Sequence, residues 1–318
     1  MAVADRPDVS VIIPVLDAEE SLPAAIDSAL QNDCSVEVLV IDDGSRDESR
    51  RVAIEHPGAV SVHSTGSRMS GPSNARNIGI ERASGEWIAI LDADDRFRPH
   101  RLDTLLQAAR DLGTNVLIDD VEEIGLPASD SASLFERRGL ASVPRVLSAR
   151  GVVHFDLGLA KPMVRTSALH TGRIQYRARG RATEDFAFLL ECALQFGGVG
   201  LVPERLYVYQ RRPQSVSAPT PAFWLDSASV AVEMLKSYGE SDVMLAGLLR
   251  RRIGASLDRY DYLSAKDDFA RTRSPKAIRH LLAQRHFYER LMQRAWSFTP
   301  RAKDHRLNQS VRTSVVQD

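Results

Sequence analysis

Three short apolar runs set the pattern of the N-terminal half: Val9-Ser10-Val11-Ile12-Ile13-Pro14, Val36-Glu37-Val38-Leu39-Val40-Ile41 and Trp87-Ile88-Ala89-Ile90-Leu91. Runs of this length read as strands buried on both faces, the habit of parallel sheets covered by helices. Between the first two, Leu22, Ile26, Ala29 and Leu30 fall at helical spacing within 18–31, which predicts a β-α-β opening. Such crossovers are right-handed, so successive strand ends reach one rim of the sheet. What leaves the second and third runs is acidic: Asp42-Asp43-Gly44-Ser45 and Asp92-Ala93-Asp94-Asp95. Ligands of open α/β sheets gather at the carboxyl ends of strands, so the acids predict chemistry on that rim. Like charges this close call for a cation, and Mg²⁺ or Mn²⁺ accept carboxylates together with substrate phosphates. A solvated turn is the plainer reading of either acidic segment alone.

Further along, Thr183-Glu184-Asp185 precede a helical pattern in Phe186, Leu189, Leu190, Ala193 and Leu194 that stops near Gly197-Gly198. Capping of that helix competes with a chemical role for the paired acids. A strand over 199–202 follows, then a second apolar run at 206–209 leading into Gln210-Arg211-Arg212-Pro213. Cations after an apolar run suit phosphate oxygens, and a plain surface loop is the alternative.

Length and composition bound these readings. The chain has 318 residues, enough for a large core and about two domains. We place the division at 221/222, a catalytic domain followed by a helical extension. Hydrophobic and charged fractions of 43% and 26% are those of a soluble globular protein. Cys34 and Cys192 are too few for a disulfide framework or a Cys-based zinc site, which fits a reducing, cytoplasmic compartment. The segment before Val9 carries Asp5, Arg6 and Asp8 rather than a signal-peptide core, and no apolar run approaches the ~18 to 20 residues of a membrane span.

The net charge of −1 hides an asymmetry: residues 222–318 hold 17 Lys and Arg against 11 Asp and Glu, a balance of +6 that leaves −7 for the rest. Helical spacing recurs there in Val230, Met234 and Leu235, in Leu245, Leu248 and Leu249, and in Ile278, Leu281 and Leu282. Arg250-Arg251-Arg252, Arg285, Arg290 and Arg294 are interleaved with Phe287, Tyr288, Trp296 and Phe298. Basic helices bearing aromatics suit the anionic inner face of a membrane, while a helical cap with a solvated basic face is the competing reading.

Taken in order, the first strand, Val40-Ile41-Asp42-Asp43-Gly44-Ser45, Asn74-Ala75-Arg76-Asn77-Ile78-Gly79, Gly85-Glu86-Trp87, Leu91-Asp92-Ala93-Asp94-Asp95 and Glu184-Asp185 resemble the family 2 glycosyltransferases of GT-A fold, over about 8–217. That resemblance implies an α/β fold with a mostly parallel central sheet, followed here by the C-terminal helices. It also implies inverting transfer of a sugar from a nucleotide diphosphate donor, a UDP-sugar foremost, to an acceptor hydroxyl. By the same resemblance Asp185 is the base, Asp94 holds the Mn²⁺ or Mg²⁺, and Pro14, Asp17, Asp43, Arg76, Asp92 and Arg212 form the donor site. Glu184 and Lys161 fall on the acceptor side. Relatives without membrane helices extend glycan or lipid-linked oligosaccharide acceptors in bacterial exopolysaccharide and cell-surface polysaccharide assembly, which places this chain at the inner membrane face.

The chain departs from the pattern where many relatives carry an aromatic and Asn, since Leu16 and Asp17 stand there, and the Gln-X-X-Arg-Trp element of processive synthases is absent. Single-sugar addition is therefore expected. Two other classes stay in view. A sugar nucleotidyltransferase would need a Gly-rich basic loop where Pro14-Val15-Leu16-Asp17 stands, and a nucleic-acid-binding module is suggested by the basic tail alone.

Overall fold

The computed structural model describes residues 6–58, 60–125, 132–140, 143–177, 183–211 and 220–272, with 274, 276, 280, 282 and 283 beyond them. The chain divides into two compact units, residues 1–179 with 184–213, and residues 180–183 with 214–318.

The first unit is built on a nine-stranded sheet whose main order is β3-β2-β1-β4-β8-β6-β9-β5, with β7 also pairing β9. Strands β1 (Val9–Val15), β2 (Val36–Asp42), β3 (Val60–Ser64) and β4 (Trp87–Ile90) are mutually parallel. Their apolar runs lie between helices, and β1 is buried at every position but Pro14. The register Val15↔Asp42 and Ile12↔Ile90 aligns their carboxyl ends, and Leu91 N–H extends the pairing to Ile12 O at 3.0 Å. Helix α1 (Leu22–Leu30) is the first crossover, with Leu22, Ala25, Ile26 and Ala29 turned inward. Between them α2 (Ser49–Ile54) follows β2, and α3 (Pro72–Arg82) opens with Pro72 in its first turn, where a missing N–H costs nothing.

Helix α3 lies flush on β1. A Cβ built at Gly79 would stand 2.4 Å from Ile12 Cγ2, so glycine alone allows this approach.

The other half of the sheet is mixed. Short β5 (Arg96–Phe97) leads to α4 (Arg101–Leu112) and β6 (Val116–Ile124), followed by α5 (Leu134–Arg138), β7 (Arg145–Leu147), α6 (Ala149–Phe155), β8 (Met163–Arg165) and α7 (Thr166–Gly172). Strand β8 runs antiparallel to both β4 and β6, pairing Met163 with Ala89 and with Leu117. Because β8 is inverted, the residues just before it lie alongside those just after β4. Helix α8 (Glu184–Phe196) is buried along most of its length. It is followed by β9 (Val199–Gln210), one strand where the sequence suggested two. Pro203 and Glu204 interrupt the apolar pattern without ending the strand, and the irregularity appears as register shifts opposite Asp119, Asp120 and Val121.

In the second unit, α9 (Pro221–Tyr238) and α10 (Val243–Thr272) pack together across a four-residue link. Thr220 Oγ1 caps α9 by accepting from Phe223 N–H at 3.2 Å. Val230, Met234, Leu245 and Leu249 are buried as the helical spacing requires. Arg259 lies 4.3 Å from the centroid of the Trp224 ring. The division at Pro213 falls ahead of the expected 221/222 boundary, and α9 itself begins at Pro221. Arg285, Arg290, Arg294 and their aromatic neighbours lie outside the described residues. Among the described residues no helix is long and apolar enough to cross a membrane.

Candidate active site

Four chain segments meet beyond the carboxyl ends of β1 and β4. Arg76, in the second turn of α3, is 3% exposed and bridges two of them: Nη2 lies 2.8 Å from Asp92 Oδ1 and Nη1 lies 2.8 Å from Glu184 Oε1. Nη1 is also 3.4 Å from Asp185 Oδ1. Lys161, two residues before β8, joins the same acids, with Nζ 2.9 Å from Asp92 Oδ2 and donating to Asp185 Oδ2. Three carboxylates thus share two buried cations.

The electrostatics follow from that count. Burial alone would push Asp92 toward its neutral form, but Lys161 and Arg76 outweigh it and hold the carboxyl below its ordinary range. Burial likewise works against the charged form of Arg76 and Lys161, and the facing acids raise both above their ordinary values. Glu184 goes the other way, raised by burial and by Asp185 beside it. Glu184 Oε2 and Asp185 Oδ1 are buried and accept no hydrogen bond among the described residues. These acids open α8 but do more than cap it.

Tyr176 completes the floor. Its ring stacks on Phe188 at 4.0 Å and lies 5.0 Å from the Arg76 guanidinium carbon. Asn77 holds the Tyr176 main chain at both ends, donating to its carbonyl and accepting from its N–H, each at 2.8 Å.

The three acids after β4 separate in role. Asp92 N–H donates to Tyr207 Oη at 3.3 Å, and that hydroxyl donates to Asp95 Oδ2 at 2.7 Å. Burial, Asp92 and Asp94 together push the Asp95 carboxyl up to about 8. Crowded carboxylates of this kind suit a divalent cation, and half-buried Asp94 beside them is the acid that would hold it. Another set, Asp33, His100 and Asp103, brings ligand atoms within 4.8 Å of one another. It lies at the amino end of β2, away from this rim, and Asp103 already accepts from the Asp33 and Cys34 N–H groups at 2.9 Å each.

At the β2 end the expected donor residues are engaged with the protein. Asp43 is buried; Oδ1 accepts from Thr65 Oγ1 at 2.8 Å, from Ser70 N–H at 3.0 Å and from Ser70 Oγ, and Oδ2 accepts from Gly71 N–H at 2.9 Å. It shapes the loop that enters α3. Asp17, at φ 51°, accepts from Arg46 N–H at 2.7 Å and pairs with Arg68 at 2.8 Å. The Arg68 hydrogen bond and then the Arg46 N–H hold its carboxyl down at about 2. Arg68 also donates to Gly44 O at 2.6 Å, a wall residue that no sequence motif pointed to. Pro14 sits in β1 opposite Ile41. Arg212 lies outside the described residues; its neighbour Arg211 pairs with Glu123 at 2.7 Å.

Lys161 is 5% exposed and locked between acids. The inverted β8 brings it there, and nothing in the local sequence announces an inverted strand.

Comparison with known proteins bears on the family and the fold. Residues 10–132 match the model of the family described as Glycosyl transferase family 2. The succinoglycan biosynthesis protein ExoO of Rhizobium meliloti (strain 1021) is 27% identical over 291 residues, covering 89% of this chain and 83% of that protein. ExoU of the same organism is 33% identical over 200 residues, covering 58% of this chain and 57% of its own. Among solved structures, S. aureus TarS 1-349 in complex with UDP-GlcNAc superposes with a TM-score of 0.62 at 18% identity, covering 86% of this chain and 78% of that one. The mannosyltransferase PcManGT from Pyrobaculum calidifontis, in complex with GDP-Man and Mn2+, gives 0.52 at 16% identity, covering 93% and 89%.

Proposed function

The chain carries a family 2 glycosyltransferase domain of GT-A fold and is a glycosyltransferase, and from that premise we propose that it transfers one sugar, with inversion, from a UDP-sugar to a hydroxyl of a lipid-linked oligosaccharide. The observation that carries this reading is the meeting of Asp92 and Asp185 around Arg76 and Lys161, which joins a strand-end acid to an acid on a separate helix. Inversion needs that separation, because the base must stand across the sugar from the departing diphosphate.

Asp185 takes the proton of the acceptor hydroxyl as its oxygen bonds to the anomeric carbon and the bond to the diphosphate breaks. Its buried Oδ1, which accepts no hydrogen bond among the described residues, is the atom suited to that proton. Glu184 orients the acceptor, and Arg76 holds both acids in register. A divalent metal ion, which Asp94 would hold, supplies charge that stabilises the leaving nucleoside diphosphate. The polysaccharide context rests on the relatives named for succinoglycan biosynthesis, the lipid-linked acceptor on the family resemblance, and the uridine donor on the UDP-GlcNAc complex of TarS.

Purified protein is to be incubated with UDP- and GDP-sugars and a lipid-linked oligosaccharide, and the anomeric configuration of the product read by NMR. The expected result is an inverted linkage and released nucleoside diphosphate, abolished by a chelator and restored by Mn²⁺ or Mg²⁺. Release of pyrophosphate would identify a nucleotidyltransferase instead, and full activity of metal-free protein in chelator would remove Asp94 from the reaction.

A further inference from the structure

Lys161 lies between the two acids that the proposed reaction assigns to opposite substrates. Its main chain is fixed as firmly as its ammonium. Arg101 Nη2 donates to Lys161 O at 2.9 Å, and Arg101 is itself fully buried, paired with Asp119 at 2.6 Å. The rings of Phe97 and Tyr207 stand 4.2 and 5.3 Å from the Arg101 guanidinium carbon. Tyr207 in turn bonds Asp95 and the Asp92 N–H. A lysine anchored at both ends is not a mobile arm that reaches for phosphate; it is part of the frame.

We propose that Lys161 is a positioning residue for transfer, a single ammonium shared by the donor-side Asp92 and the base Asp185, which fixes the base in place before the acceptor hydroxyl arrives. The inference rests on the reading of Asp185 as the base.

The charged and titratable groups facing Asp185 are Lys161 ahead of β8, Arg76 on α3, Asp92 after β4, Glu184 on α8 and Tyr176. Two of these are cations. Arg76 directs its hydrogen bonds to Asp92 and Glu184, so among the described residues Lys161 alone hydrogen-bonds Asp185. Without Lys161, three acids would share Arg76 alone, and Asp185 would lose the hydrogen bond that orients it. Lys161 donates no proton in the reaction; it acts through the carboxylate it touches.

The test is steady-state transfer from the UDP-sugar to the lipid-linked oligosaccharide by Lys161→Met and Lys161→Arg. In Lys161→Met kcat should fall by up to about 10²-fold with KM for the donor little changed, and Lys161→Arg should recover part of that loss. An unchanged kcat in Lys161→Met overturns the proposal. Thermal melting of Lys161→Met, Asp185→Asn and the double variant gives a second arm that does not depend on how well Lys161→Met folds. If the two groups are paired, the double variant melts above Lys161→Met, because the orphaned carboxylate is gone. Additive losses, or a double variant no more stable than Lys161→Met, also overturn it. Turnover of Asp185→Asn separates the two claims: normal turnover removes the base assignment, while lost turnover there with normal turnover in Lys161→Met removes only the role of Lys161.

Discussion

The loop after β2 and the junction around α8 both bury an aspartate, and they treat it in opposite ways. Asp43 is surrounded by neutral donors, the hydroxyls of Thr65 and Ser70 and the N–H groups of Ser70 and Gly71, all from one loop. Asp185 faces two cations from distant segments, and its Oδ1 accepts no hydrogen bond among the described residues. Neutral donors in that number fix a backbone shape, whereas cations balance charge and leave a lone pair open. Burial of an acid does not by itself mark chemistry; the kind of partner does.

The sharpest break of this contrast is Asp185→Asn, which keeps shape but cannot take a proton. Turnover should fall by about 10² to 10⁴, with nucleoside diphosphate affinity nearly unchanged by calorimetry. Normal turnover in folded protein would make the two aspartates alike and leave Glu184 as the next candidate for the base.

Arg76→Met attacks the charge balance instead. Removing one member of a buried ion-pair set typically costs about 3 to 5 kcal/mol, to be read by chemical denaturation. A loss below about 1 kcal/mol would mean that Lys161 alone suffices for the three acids.

Asp43→Asn turns an acceptor into a group that must present N–H toward other donors. Thermal and chemical melts should show a loss of about 1 to 3 kcal/mol, with transfer by the folded fraction lowered through KM for the donor rather than kcat. A kcat effect as large as that of Asp185→Asn would erase the distinction between the two regions.

The mildest test uses the exposed rim. Asp17 titrates at about 2 in the folded protein against an ordinary 3.8, so its stabilising contribution is present above the ordinary value and is lost as pH falls through about 2. Asp17→Asn should lower the melting temperature modestly at neutral pH and flatten the acid-side decline between those values. An unaltered decline would show that other carboxylates set it.

The parallel half of the fold was legible because β1, β2 and β4 are apolar runs and the first crossover, α1, shows helical spacing. The acids at the strand ends were legible for the same reason, since a buried strand must release its chain at a rim. What stayed hidden was antiparallel. Met163-Val164-Arg165 is three residues long, too short to carry a periodic signal, yet its direction decides that Lys161 meets Asp92. Arg68 and Tyr176 were missed in a different way, because their partners, Asp17 and the Gly44 carbonyl for one and Arg76 and the Phe188 ring for the other, lie far along the chain, which no spacing rule encodes. The single strand over 199–210 was read as two apolar runs, 199–202 and 206–209, because the polar interruption between them is absorbed by a bulge.

The contact between Gly79 and Ile12 has a consequence for how this protein tolerates change. Residue 79 lies one helical turn from Arg76 on the face of α3 that rests against β1. It acts as a spacer of zero thickness, and a single added methyl would lift the helix and carry the guanidinium off its two acids. A random-mutagenesis screen for lost transfer should therefore recover Gly79→Ala among its hits, with an intact set of reactive groups and no atom at position 79 able to reach a substrate.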